Sequence, residues 1–283
     1  MSVELSTESM HLLTAMKNKK LEQLAFQTSL LYAEDFPGEP FHRDYKRFPE
    51  VFRLLIRSDR KLEKKMAGYF KDFAKRLRSD LVDWRAYNKK VKAADIDDWI
   101  QVDWDEERLQ IKVNLTDALQ DAILAGGKLM ELESSVDVGW KANTSEVVDF
   151  LNKYSLNMAR GLSNTTRDRL RSALALSVSN GEKVADAKNR ILDVIDDPKR
   201  AATIARTESV RAFGAGRKAV AVEIGFDQKE WHTTIQPCPI CQPLPSVGKI
   251  GIDEYFDAAA GIKEEPAHPN CRCSVRYSKG EEK

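Results

Sequence analysis

The chain has 283 residues, 42% of them hydrophobic and 31% charged, with a net charge of +1. That length is enough for one large domain or two ordinary ones with proper cores. No apolar run approaches the roughly 20 residues of a membrane span, and a net charge this small says nothing by itself about a partner. The opening Met1-Ser2-Val3-Glu4-Leu5-Ser6 lacks the basic and apolar regions of a secretory leader. The cysteines are therefore expected in a reducing cytosol, which favours metal binding over disulfides.

Charge is distributed in blocks. Residues 44–92 hold 16 Lys and Arg against 7 Asp and Glu, and residues 95–149 hold 4 against 14. Blocks of this kind on helices neutralise one another's solvent faces or steer a partner.

In chain order, residues 1–35 read as a helix, with Leu5, Leu12, Leu13, Met16, Leu24 and Leu31 spread among polar residues. The breaker cluster Phe36-Pro37-Gly38-Glu39-Pro40 ends it. Leu62, Met66, Phe70, Phe73, Leu77, Leu81 and Trp84 then recur at spacings of 4, 4, 3, 4, 4 and 3. That is one apolar stripe on a long helix, suited to an antiparallel hairpin. Its expected partner is an acidic helix over 104–133, carrying Ile111, Leu115, Ala118, Ala122 and Ile123, which Gly126-Gly127 should break or bend.

Thr144-Ser145-Glu146 offers an N-cap for a helix with Val147, Phe150, Leu151, Tyr154 and Met158. Ser163-Asn164-Thr165-Thr166 should start another, with Leu170, Leu174 and Val178 on one face. After the Asn180-Gly181 turn comes a helix with Val184, Ala187, Ile191 and Val194, and a further one covers about 199–224. The pattern then changes period. Trp231, Thr233 and Ile235 alternate with His232 and Thr234 in a short strand, and Ser274–Tyr277 could answer it. Three Pro and three Gly in 242–267 predict a meandering loop between them. The fold class expected is mainly α, with extended N-terminal helices over 1–142, a compact helical module over 143–226, and a small zinc-knuckle subdomain with a short β-hairpin over 227–283.

All four cysteines lie within 238–273. Cys238-Pro-Ile-Cys241 is one short-spaced pair, and His268-Pro-Asn-Cys271 is a second, followed by Cys273. Two residues between ligands let one tight turn aim both side chains at a point, and two such pairs suit a tetrahedral zinc ion. Cys238, Cys241, His268 and Cys271 are the expected ligands, with Cys273 as the alternative fourth in place of His268. Four protein ligands leave no position for a reactive water, so the expected Zn2+ is structural. Buried thiols or a Cys238–Cys241 disulfide would leave the second pair unexplained.

His232 and Glu230 could form a general-base pair, although a histidine beside a zinc turn more often supports packing. His11 and His42 are isolated. Arg206 and Glu208, in Ala205-Arg-Thr-Glu208, do not share a helix face; each could contact a phosphate or acidic partner, or simply pair one turn away. No phosphate-binding loop, dinucleotide fingerprint, nucleophile elbow or kinase signature is present.

The stretch from about 148 to 273 resembles the phage head morphogenesis family typified by the F protein of bacteriophage Mu, the minor head or minor capsid proteins. The text that carries the resemblance runs in order: Thr165-Thr166-Arg167, Asn180-Gly181-Glu182, Arg200-Ala201, Ile204 to Glu208, Gly225, Trp231, Thr233, Cys238-Pro-Ile-Cys241 and Pro266-Ala-His-Pro-Asn-Cys-Arg-Cys273. Where relatives often carry an acidic residue and an arginine before the first cysteine, this chain has Thr234-Ile235-Gln236-Pro237. The resemblance implies a non-enzymatic structural protein of the virion, present in few copies inside the capsid near the portal. It implies the portal protein and inner capsid or scaffold proteins as partners, with packaged DNA a further contact, no membrane and no small-molecule substrate. It also implies residence in the host cytoplasm during assembly and a role in head assembly that extends, in some phages, to DNA packaging and ejection. Residues 1–142, outside the resemblance, would be a docking arm, and Arg206 and Glu208 would fix their helix against the zinc subdomain. Two rival readings are a zinc-stapled nuclease using His232 and Glu230, and a DNA-binding adaptor using the basic face of 46–92.

Overall fold

The computed structural model describes residues 48–89, 96–141, 145–234 and 237–280. The helix expected over 1–35, the breaker at 36–40, the N-cap at Thr144 and the strand position Ile235 lie outside these residues. The protein is mainly helical, with a small antiparallel sheet near its C-terminus. In order, the elements are α1 (Pro49–Ser79), α2 (Trp84–Asn88), a 3-10 turn (Ile96–Trp99), α3 (Trp104–Ser134), α4 (Ser145–Ser179), α5 (Val184–Ile195), α6 (Pro198–Glu223), β1 (Gln228–His232), a 3-10 turn (Leu244–Val247), β2 (Ile250–Gly251) and β3 (Ser274–Ser278). The chain forms two compact units that alternate along the sequence. One takes Ile56–Ala122 and Lys141–Ala205; the other takes Ile123–Trp140 and Arg206–Lys283 together with residues up to Leu55.

In the first of these, the apolar stripe of α1 is core. Leu62, Met66, Phe73 and Leu77 are fully buried and Phe70 nearly so. α3 answers it through Ile111, Leu115 and Ala118. The two run antiparallel: Ser58 donates to the Ala118 carbonyl at 2.6 Å near one end, and Tyr69 donates to Glu107 at 2.8 Å toward the other. Arg76 pairs with the buried Glu107 at 2.6 Å and Lys61 with Asp121 at 3.4 Å, so the basic and acidic blocks do meet across this helix pair. The stripe ends at Leu77, because α1 stops at Ser79 and Asp83 caps a separate short helix, accepting from the amides of Arg85 and Ala86.

Two expected breaks are absent. Ser163–Thr166 start no new helix; α4 runs through them. Thr166 and Thr165 turn their hydroxyls back to the Leu162 carbonyl at 2.6 and 3.0 Å, where a cap would need them free for downstream amides. The buried Arg200 Nη2 then donates to both hydroxyls, at 2.8 and 3.1 Å, and its guanidinium lies 4.3 Å from the Phe70 ring centroid.

Gly126-Gly127 likewise leave α3 unbroken. They are small because other groups occupy the space: a Cβ on Gly126 would sit 1.9 Å from the Phe213 carbonyl oxygen, and one on Gly127 2.0 Å from the Trp140 indole. Gly216 on α6 makes the reciprocal approach, 2.1 Å from the Ile123 carbonyl oxygen. Both backbones meet within the second unit, and this close approach is what the glycines permit.

The sheet of that unit has the order β2-β1-β3, antiparallel throughout. Trp231 faces Val275 and His232 faces Ser274 in the β1–β3 register. β2 was not expected; it arises within 242–267, where Ile250 pairs with Lys229. Trp231 packs edge-on against Phe256, with ring centroids 5.2 Å apart, in a core that includes Leu244, Ile262, Val275 and three of the four cysteines.

Candidate metal centre

Two tight turns and the start of β3 bring all five expected donors together. In the first turn the amides of Cys241 and Gln242 donate to the Cys238 carbonyl at 3.0 and 2.9 Å, which leaves Pro239 exposed and packs Ile240 against the core beside the cysteines. In the second, the Cys271 amide donates to the His268 carbonyl at 3.1 Å, and Asn270 takes φ +60°, a left-handed conformation that asparagine tolerates better than most residues. Cys273 follows one residue before β3.

His268 Nε2 lies 3.0 Å from Cys238 Sγ and 3.4 Å from Cys241 Sγ, and Cys241 Sγ lies 3.6 Å from Cys271 Sγ. Cys238, Cys241 and His268 form one group able to hold a metal, and Cys241, Cys271 and Cys273 form another. Cys241 belongs to both. A tetrahedral ion with metal–sulfur bonds of about 2.3 Å and metal–nitrogen bonds of about 2.0 Å sets its ligand atoms about 3.5 to 3.8 Å apart. The Cys241 separations of 3.4 and 3.6 Å match that demand, and the 3.0 Å between Cys238 and His268 would have to open by about 0.5 Å to admit the ion.

The imidazole is oriented for it. His268 Nδ1 is 2.7 Å from the Pro269 carbonyl, so Nδ1 carries a proton and donates to it, which leaves Nε2 as the nitrogen that faces the sulfurs and would give up its own proton to an ion. The sulfurs compete for protons. Cys238 is drawn down to about 4, first by its hydrogen bond with Cys241 and then by His268. Cys271 is pulled well below the ordinary thiol range by Cys241 and Cys273, while Cys241, hydrogen-bonded by Cys238 and Cys271, is pushed up. Burial disfavours the imidazolium, but Cys238 and Cys271 outweigh it and raise His268 to about 10. Thiolate charge gathered on two turns in a buried setting is what a divalent cation neutralises.

The expected residues on α6 are placed beside this centre by a third residue, which sequence reasoning passed over. Thr207, between Arg206 and Glu208, accepts the Asn270 amide at 3.0 Å and so ties the helix to the second turn. Glu208 is buried and lies 3.4 Å from Arg211, and burial pushes its carboxyl up to about 7. Arg206 is half-buried on the same helix.

Behind the turns is an ion-pair network with no sequence signature. Arg217, fully buried, donates to Glu133 at 2.7 Å and to the Val275 carbonyl at 2.7 Å, with the buried Glu265 at 3.9 Å. Lys229 occupies an inward strand position where an apolar residue would be expected, and its ammonium reaches the Lys263 carbonyl at 2.8 Å and Glu264 at 3.2 Å. His232 and Glu230 lie 3.5 Å apart on the opposite, half-exposed face of β1. Among the described residues, neither belongs to a group of three metal-ligating side chains.

No curated protein and no solved structure matches the chain. Residues 168–276, from the middle of α4 into β3, match the family described as Phage Mu protein F like protein. The matched segment contains both cysteine-bearing turns, the helix that Thr207 ties to one of them, all of β1 and the first part of β3, and over that segment the chain is similar to the Phage Mu protein F like family.

Proposed function

We propose that the protein is a minor head protein: a structural component of the virion, present in few copies on the inner side of the capsid near the portal. It would act in head assembly, with roles that extend to DNA packaging and ejection. The observation that carries this reading is the family match across 168–276, within which the cysteines and His268 converge as a built centre. Its partners are the portal protein and the inner capsid or scaffold proteins, and it has no catalytic residue. The ion is structural Zn2+, held by Cys238, Cys241, His268 and Cys271, with Cys273 able to replace His268. Bound there, zinc joins two turns and a three-stranded sheet whose longest strands have five residues, too small for a stable core of their own. Quantitative mass spectrometry of purified heads tests the role. Copies in a fixed low ratio to the portal support it; absence from particles, with the protein free in the lysate, overturns it. Metal analysis of the purified chain tests the centre: one zinc per chain, retained by one of His268→Ala and Cys273→Ala and lost by the other, identifies the fourth ligand.

A further inference from the structure

From Arg57 to Arg78, one face of α1 carries only cations and a single glycine. Arg57, Arg60, Lys64, Lys71, Lys75 and Arg78 are all exposed and recur, with Gly68, at spacings of 3, 4, 4, 3, 4 and 3. On an α-helix these seven positions fall within roughly 80° of arc and run about 32 Å along the axis. They lie opposite the buried stripe of Leu62, Met66, Phe70, Phe73 and Leu77. The exposed carboxylates Glu63 and Asp72 stand on the flanks, and Asp72 pairs with Lys75 at 3.3 Å. No apolar side chain interrupts the row.

Gly68 is the second, independent feature. It sits midway along the row in the interior of a long helix, where glycine weakens the helix. A Cβ there would meet nothing within 4 Å, so the fold itself does not require it. The absent side chain lets an outside partner approach the helix backbone at the centre of the charged face.

We propose that this face of α1 binds the phosphate backbone of duplex DNA without regard to sequence. A row of regularly spaced cations with an open centre suits a polymer of regularly spaced anions. An acidic protein partner would be expected to find aromatic or other apolar groups at the middle of its interface, and this face has none. Single-stranded nucleic acid would call for exposed aromatic rings on which bases stack. The aromatic residues of α1 near the row, Tyr69, Phe70 and Phe73, are buried on its other side. The inference is independent of the head-protein reading, because it concerns what the isolated chain binds.

The test is fluorescence anisotropy of a labelled duplex titrated with the full chain over a range of NaCl concentrations. Six phosphate contacts predict a slope of log K against log salt of about −5, and a loss of roughly a thousandfold in affinity between 50 and 200 mM salt. The variant Lys64→Glu/Lys71→Glu/Arg78→Glu changes only exposed positions and should flatten the slope by about 3 while leaving the melting temperature unchanged. Gly68→Leu should raise the melting temperature yet weaken duplex binding by about tenfold, a pairing that a purely structural role for Gly68 would not produce. Three results would each overturn the proposal. One is duplex affinity that does not depend on salt, and another is wild-type affinity in the charge-reversed variant. The third is tighter binding to polyglutamate or to single-stranded DNA than to the duplex.

Discussion

Gly126→Ala tests the crossing of α3 and α6 directly. The added methyl would lie 1.9 Å from the Phe213 carbonyl oxygen, whereas real Cβ atoms essentially never come within 3.0 Å of such an atom. Both groups belong to helix backbones, so no rotamer change relieves the clash, and the helices must part locally by roughly 1 Å in a close-packed interior. Overpacking of this kind costs about 1 to 3 kcal/mol, and backbone against backbone belongs at the upper end. Alanine in place of glycine returns about 1 kcal/mol of helix propensity. The net loss is about 2 kcal/mol, which lowers the melting temperature of a chain this size by about 4 to 8 °C. Far-UV circular dichroism melts read it directly. Gly68→Ala is the matched control: with nothing within 4 Å of its Cβ, the same substitution should raise the midpoint by about 2 to 4 °C. A Gly126→Ala protein that melts at or above the wild-type midpoint would refute the packing argument.

Four further outcomes follow from the second unit. Arg217→Met strands the Glu133 and Glu265 carboxylates and should cost about 3 to 5 kcal/mol in urea unfolding; a loss under about 1 kcal/mol would show that the network is not coupled. Burial holds Glu265 up at about 7, above its ordinary 4.5, so the stability it contributes is complete below the ordinary value and is lost as pH rises through about 7. With zinc saturating, the unfolding free energy of Glu265→Gln minus that of the wild type should grow by about 3 kcal/mol across that window, and a pH-independent difference would contradict the burial argument. Thr207→Val removes the acceptor of the Asn270 amide and should cost about 1 to 3 kcal/mol by chemical denaturation, with an unchanged midpoint ruling the tether out. Chelation of zinc should release hydrogen-exchange protection of the Trp231 and Val275 amides while leaving α1 protected, and uniform protection with and without chelator would show that the metal does not hold the sheet.

The sequence was most readable where a single local period decided the outcome. The α1 stripe from Leu62 to Leu77 and its antiparallel partner could be read from spacing, because burying an apolar row at helical period admits few solutions. The pairing of a strand through Trp231 with 274–278 was legible in outline, but its span was not: the alternation of 231–235 pointed downstream of Trp231, whereas β1 runs from Gln228 to His232 and its second inward position is Lys229. Failures came where a residue's role was set by something distant in sequence. Gly126 reads as a breaker until Phe213 is known to lie against it, and Thr165-Thr166 read as a cap until Arg200 occupies their hydroxyls. Lys229 and Arg217 could not be found as buried residues, because their partners Glu264, Glu133 and Val275 are separated from them by long stretches of chain. Convergence of the five donor side chains was foreseen from two short spacings; the hydrogen bond from Asn270 that anchors one of those turns to Thr207 was not.

The alternation of the two units along the chain constrains the order in which they can be completed during synthesis. The unit that begins at Ile56 is interrupted at Ala122 and regains chain only from Lys141 to Ala205. The other contributes Ile123–Trp140 early but obtains most of its described residues only after Arg206. A ribosome must therefore make 205 of the 283 residues before either unit has all its pieces, and α3 must wait for α6 before Gly126 meets Phe213. Native contacts so far apart in sequence slow folding. They also mean that a cut at Trp140 divides both units, whereas a cut after Ala205 leaves the unit that begins at Ile56 with all its pieces and separates Ile123–Trp140 from the Arg206–Lys283 part of the other.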